Sequence, residues 1–173
     1  FTMMELYQVQ TDYEDMMELC ENLFINACKK VNNGRTKVKY GEHEIDFKKP
    51  WKRMTMKQAI KEYADIDVDK LSEDELKAKI KTYKNTEDPE KMSKGVLIQT
   101  IFEEEVEDKL IQPTFITEHP IETTPLCKQM RDGNEKFVER FEPFVAGMEI
   151  ANAYSELNDP ILQKELLKKQ SQE

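Results

Sequence analysis

The spacing of hydrophobic residues changes character within the first twenty positions. Residues 1 to 10 alternate, with Phe1, Met3, Glu5, Tyr7 and Val9 on one face and Thr2, Met4, Leu6 and Gln8 on the other, the period of a β-strand. From Asp12 to about Asn32 the period lengthens: Met16, Leu19, Cys20, Leu23, Phe24, Ala27, Cys28 and Val31 recur at three and four residues. That spacing predicts an amphipathic helix packed on a sheet, with Asn33-Gly34 as its stop signal.

Further along, Val38 to Phe47 reads as a hairpin around Gly41, and Thr55-x-x-Gln58 as a capping box opening a short helix through Tyr63. A second box, Ser72-x-x-Glu75, opens a Lys/Glu-rich helix. Residues 65–92 carry few large apolar groups and end in Asn85-Thr86-Glu87-Asp88-Pro89, the pattern of a helical insertion at the surface with a solvated, charged face. Ser93 to Leu110 predicts another helix with Ile98, Ile101, Phe102 and Val106 inward. A short strand follows around Phe115-Ile116, then two long strands, Phe137 to Val145 and Glu149 to Leu157, turning near Ala146-Gly147. Pro143 removes a ladder donor, which predicts an edge or a bulge there. Asp159-Pro160 supplies an N-cap and first-turn proline for a last helix. Strands at both ends of a helical middle define an α+β class: an antiparallel sheet flanked by helices, in one domain spanning the chain.

Composition narrows the functional classes. The 173 residues suffice for one core-forming domain. A net charge of -9 argues against a broad basic surface for nucleic-acid phosphates. No apolar run approaches the length of a membrane span, and the chain reads as cytoplasmic. Cys20, Cys28 and Cys127 have neither even number nor C-x-x-C spacing, as expected of reduced thiols. His43 and His119 are the sole histidines, which excludes a multi-histidine metal site.

One segment concentrates unusual residues: Glu142, Glu149, Asn152, Tyr154 and Glu156. Asn152, Tyr154 and Glu156 share a face by alternation, whereas Glu149 is out of phase by one residue and needs a bulge to join them. Such residues suit either the wet side of an antiparallel sheet or the wall of a cavity. The face carrying Phe1, Glu5 and Tyr7 also combines rings with a carboxylate. Two acidic, aromatic faces fit a cationic ligand with an aliphatic body, because carboxylates hold an ammonium and rings cover methylenes.

These residues lie within longer strings. FTMMELYQ at 1–8 resembles the strand that closes the second signature motif of class II lysyl-tRNA synthetases. PWKRMTMKQAI at 50–60, LIQPTFITEHPIETTPLCK at 110–128 and RFEPFVAGMEIANAYSELNDP at 140–160 resemble further segments of that family, the last being its long hairpin. The resemblance implies a partial class II aminoacyl-tRNA synthetase catalytic core. By matching position it assigns Phe1 to adenine stacking in the ATP site. Glu5, Tyr7 and Glu156 fall around a lysine ε-ammonium, Tyr154 over the lysine stem, and Asn152 at the lysine carboxylate. Glu142 and Glu149 match the carboxylates that hold Mg2+ on the ATP phosphates, in keeping with magnesium's use of a few carboxylates plus phosphate oxygens.

The implied activity is ATP-dependent activation of lysine followed by transfer to tRNA(Lys), in a homodimeric parent. The chain opens on Phe1 directly into strand-like sequence, as an excised piece would, and family segments bearing the dimer contact, two active-site arginines and the anticodon-binding domain are not matched. The isolated chain is therefore expected to be inactive. Two other readings stand beside this one: a lysylating paralogue that modifies a translation factor, and a truncated, non-catalytic synthetase-like binding module.

Overall fold

A computed structural model describes residues 2–84 and 86–171. Its spine is a mixed five-stranded sheet ordered β3-β4-β5-β6, with β7 also paired to β5. The strands are β3 (Lys52–Thr55), β4 (Thr114–Pro120), β5 (Phe137–Val145), β6 (Met148–Glu149) and β7 (Ala153–Tyr154). Pairing is antiparallel throughout except for the β3–β4 edge, which is parallel. A separate hairpin, β1 (Lys37–Tyr40) and β2 (His43–Asp46), is tied to the sheet by Gln112, which accepts from Asp46 N–H at 3.0 Å and donates to the Glu44 carbonyl at 2.8 Å.

The two faces of the sheet are covered differently. On one, α2 (Met56–Ala64), α3 (Glu73–Ile80) and α4 (Lys94–Glu105) close an aliphatic core with Met54, Ile116 and Phe144 from the strands. On the other, α1 (Tyr13–Val31) packs Tyr13 and Met17 over Trp51, Phe115 and Phe141. The rings of Phe115 and Phe141 meet edge to face at 5.2 Å, and Trp51 stacks on Phe115 at 5.1 Å. α5 (Pro160–Gln170), capped by Asp159, buries none of its residues. Among the described residues no helix is long and apolar enough to cross a membrane.

Local signals formed the expected elements. Thr55–Gln58 and Ser72–Glu75 are reciprocal capping boxes, and Asp12 caps α1 with Asp15 in the same way. Three expectations differ from what formed, and a fourth, at Pro143, is met. Residues 2–8 are not a strand: no described strand pairs with them, and alternation alone cannot supply the ladder hydrogen bonds a strand requires. The buried stripe of α1 is Tyr13, Met17, Glu21, Ile25 and Cys28, leaving Leu23 at the surface and Val31 82% exposed. Glu21 takes the central place because its carboxylate accepts the buried Trp51 N–H at 2.8 Å. The segment 65–92 is helical and outwardly charged as expected, yet Val68, Leu76 and Ile80 are in the larger core rather than at the surface. Pro143 sits inside the sheet, opposite Phe115. Its carbonyl accepts from Ile150 N–H at 2.9 Å but it has no N–H to return, and the pairing with the returning strand shifts by one residue just beyond, over 150–152, the irregularity that the proline predicts.

Candidate active site

β5 alternates between the two faces. Arg140, Glu142 and Phe144 point to the α4 side, as the pairing of Glu142 with Ile116 of the aliphatic core requires. The turn after β5 places Ala146 and Gly147 at φ +53° and +73°, a two-residue connection with both central residues left-handed. A Cβ on Gly147 would lie 3.2 Å from Asp108 Cα, so glycine serves both conformation and approach.

The returning strand pairs at Glu149 with Phe144 and at Tyr154 with Arg140. One extra residue lies between those two pairs, a bulge over 150–152. It brings Glu149 to the face of Glu142 and Tyr154 despite their opposite phase. β4 is also irregular between Thr117 and His119, with Glu118 at φ +55°, which turns His119 toward Glu142.

Arg140 ties the set together. Its guanidinium bonds Glu142 through Nη2 and donates from Nε to Asn152 Oδ1 at 3.3 Å. Glu142 is 12% exposed in its side chain. Burial, partly opposed by Arg140 and reinforced by the carboxylates of Glu149, Glu107 and Glu103, pushes its carboxyl up to about 7. Burial and the neighbouring Glu103, Glu149 and Asp108 likewise push Glu107 up to about 7. Burial also raises Glu149, with Arg140 opposing. His119, 3.9 Å from Glu142, is held down to about 3 by burial and by Arg140, so this contact involves a neutral ring and is not an ion pair. The thiol of Cys127 is pushed up to about 11, chiefly by burial, which leaves it unreactive.

Beyond Arg140, Tyr154 is half-buried, and its phenol is raised by burial, by the Glu156 carboxylate, and to a lesser degree by Cys127 and Tyr7. Tyr7 and Glu156 are thus each within electrostatic reach of Tyr154. Glu156 is exposed and fixed by an antiparallel bridge to Cys127. Glu5 is exposed too, and among the described residues no hydrogen bond or ion pair joins it to Glu156. Phe1, expected at the adenine, lies outside the described residues.

The reading of the sequence passed over Arg140, Glu103 and Glu107. For Arg140 a signal existed: a cation two residues before Glu142 in a strand shares its face. Glu103 and Glu107 come from the end of α4 and the turn after it, a long-range approach that no local pattern announces. Among the described residues no three His, Cys, Asp or Glu side chains are grouped to hold a metal by themselves. Glu142 and Glu149 share one face of the hairpin, and two carboxylates alone could hold only an ion such as magnesium, which takes one or two carboxylates and completes its shell with water and phosphate oxygens.

Residues 1–173 match the family model described as tRNA synthetases class II (D, K and N), and the chain belongs to this family. Individual relatives narrow the resemblance. The chain is 52% identical to lysine–tRNA ligase of Clostridium perfringens strain SM101 over 176 aligned positions, covering all of this chain and 35% of that protein. Lysine–tRNA ligase of Chlamydia pneumoniae is 50% identical, with 98% of this chain and 34% of the relative covered. That of Saccharolobus solfataricus is 47% identical over 99% of this chain and 34% of its own length. The chain spans about a third of the length of these curated relatives.

Proposed function

We propose that this chain forms the lysine-selecting and ATP-handling part of the catalytic domain of a lysine–tRNA ligase, a cytoplasmic homodimer that joins lysine to tRNA(Lys). The observation that carries this reading is the co-facing set of acidic and aromatic side chains on β5–β7, in a chain about half identical to lysine–tRNA ligases along its whole length. Glu5, Tyr7 and Glu156 surround the substrate ε-ammonium, Tyr154 covers its methylenes, and Asn152, held by Arg140, meets its carboxylate. Phe1 stacks on adenine. Glu142 and Glu149 hold Mg2+, which when bound neutralises charge on the ATP phosphates.

The chemistry needs no protein nucleophile. A lysine carboxylate oxygen attacks the α-phosphorus of ATP, pyrophosphate leaves, and a ribose hydroxyl of the tRNA end then displaces AMP from the lysyl-adenylate. The residues of this chain bind and orient the reactants, and their contribution is proximity and preorganised charge.

The deciding measurement is lysine-dependent exchange of pyrophosphate into ATP by the full-length protein, followed by transfer to a tRNA(Lys) transcript. Exchange is expected with lysine and little with arginine, whose planar fork does not fit a site for a compact ammonium. Absence of lysine-dependent exchange would sink the reading, and exchange without transfer to tRNA(Lys) would favour the paralogue that lysylates a translation factor.

A further inference from the structure

On the face of β5 opposite the candidate site, side chains from four separate stretches close on one another. Arg131 donates from Nε and Nη2 to the two oxygens of Glu139 at 2.5 and 2.9 Å, and its Nη1 lies 2.9 Å from Asp12 Oδ2. Asp12 is the N-cap of α1, and the same guanidinium sits over the Tyr13 ring at 5.7 Å. Ser155 Oγ accepts the Tyr13 N–H at 3.1 Å, and the Ser155 N–H donates to the Glu139 carbonyl at 2.9 Å. Glu139 and Ser155 are 3% and 7% exposed.

The Arg131 side chain is 54% exposed, and an ion pair with one partner in solvent adds little net stability, because water screens the attraction and holding the side chains in place costs entropy. Its directional contacts instead fix geometry. Asp12 and Tyr13 follow the stretch that carries Glu5 and Tyr7, and Ser155 separates Tyr154 from Glu156. Among the described residues no ladder bond joins residues 2–8 to β7, and the contacts of Asp12 and Tyr13 with Arg131 and Ser155 tie the two stretches together. We propose that Arg131, Glu139, Asp12 and Ser155 form a clasp that sets the width of the lysine pocket, acting as positioning residues for amino-acid selectivity from behind the sheet. This rests on the assignment of Glu5, Tyr7, Tyr154 and Glu156 to lysine proposed above.

The test compares lysine with ornithine, one methylene shorter, in pyrophosphate exchange by the full-length protein. Ser155→Ala and Arg131→Gln are expected to lower the lysine-to-ornithine ratio of kcat/KM on the order of tenfold, since sub-ångström misplacement weighs heavily on a positioned substrate. The KM for ATP should stay within about twofold, because the clasp touches the lysine side of the site. Lysine binding measured by calorimetry without ATP should weaken in parallel, and Arg131→Lys, which keeps the charge and one contact, should recover part of the ratio. Ser155→Ala is the mild variant that keeps the test open if Arg131→Gln fails to fold. An unchanged ratio in a folded variant would overturn the clasp, as would lysine and ATP KM rising together in step with a falling melting temperature. A wild type that neither binds nor activates lysine would instead overturn the functional reading beneath it.

Discussion

The two strands of the long hairpin share one turn and divide the work between them. β5 pairs along most of its length with β4 and buries every residue except Arg140 and Glu142, which are half-buried. The returning strand pairs at two short stretches, buries neither β6 nor β7 fully, and leaves the ladder over 150–152. Regular pairing supports the fold, whereas the break re-phases Glu149 with Asn152 and Tyr154. Stability and recognition are therefore separable on adjacent strands.

The largest effect should fall on the regular strand. Phe141→Ala removes a ring that is 1% exposed and packed on Phe115, and should cost about 3–5 kcal/mol in denaturant unfolding of the full-length protein. A loss near zero would mean that β5 is not the spine. On the returning strand, Glu156→Gln should weaken lysine use by roughly 2–5 kcal/mol in kcat/KM, the range for a broken charge pair, with little change in melting temperature since Glu156 is exposed. A lysine KM and kcat near wild type would remove Glu156 from the pocket.

Glu142, where the strands meet the site, sharpens the comparison further. Its folded carboxyl titrates at about 7 rather than the ordinary 4.5, so between those values the folded protein holds a proton that the unfolded chain has released. Stability contributed at this position therefore falls as pH rises from 4.5 to 7. Glu142→Gln should add about 1–3 kcal/mol at pH 8 and nothing below pH 4.5, with Arg140's loss of a partner reducing the gain. Thermal melts at both pH values would show it, and a destabilised variant at pH 8 would contradict the account. The smallest effect on stability is expected from deleting Ala151 in the bulge. The ladder can close over the gap at a cost within about 1 kcal/mol, and Asn152 keeps its place opposite Glu142 and beside Arg140, so lysine-dependent exchange is expected to survive. Lost exchange in a folded variant would show that the bulge itself, and not only the face its neighbours share, serves the site.

What was legible in the sequence was local. Thr55-x-x-Gln58, Ser72-x-x-Glu75 and Asp159-Pro160 mark helix starts because a cap involves three or four residues. The turn at Ala146-Gly147 and the shared face of Asn152 and Tyr154 follow from equally short patterns. Pairing across distance was not legible: β3 lies parallel to β4 some sixty positions away, and no residue within Lys52–Thr55 signals it. Burial of Leu76 and Ile80 depends on α4 arriving over them, so a Lys/Glu-rich segment looked like surface. In α1, a carboxylate displaced apolar residues from the buried stripe because Trp51 N–H needed an acceptor. For the site, alternation placed Asn152 and Tyr154, but Glu149 joins them through a bulge, whose position one strand alone does not specify.

The hairpin tip offers a last consequence. A two-residue turn is ordinarily where backbone amides exchange with solvent soonest, yet Ala146 N–H is bonded to the Ile111 carbonyl at 3.0 Å and Gly147 N–H to the Leu110 carbonyl at 3.1 Å. In deuterium exchange the order along this hairpin should be inverted: the amides of the tip stay protected as long as those of β5, while Ala151 and Asn152, nearer its middle, exchange first.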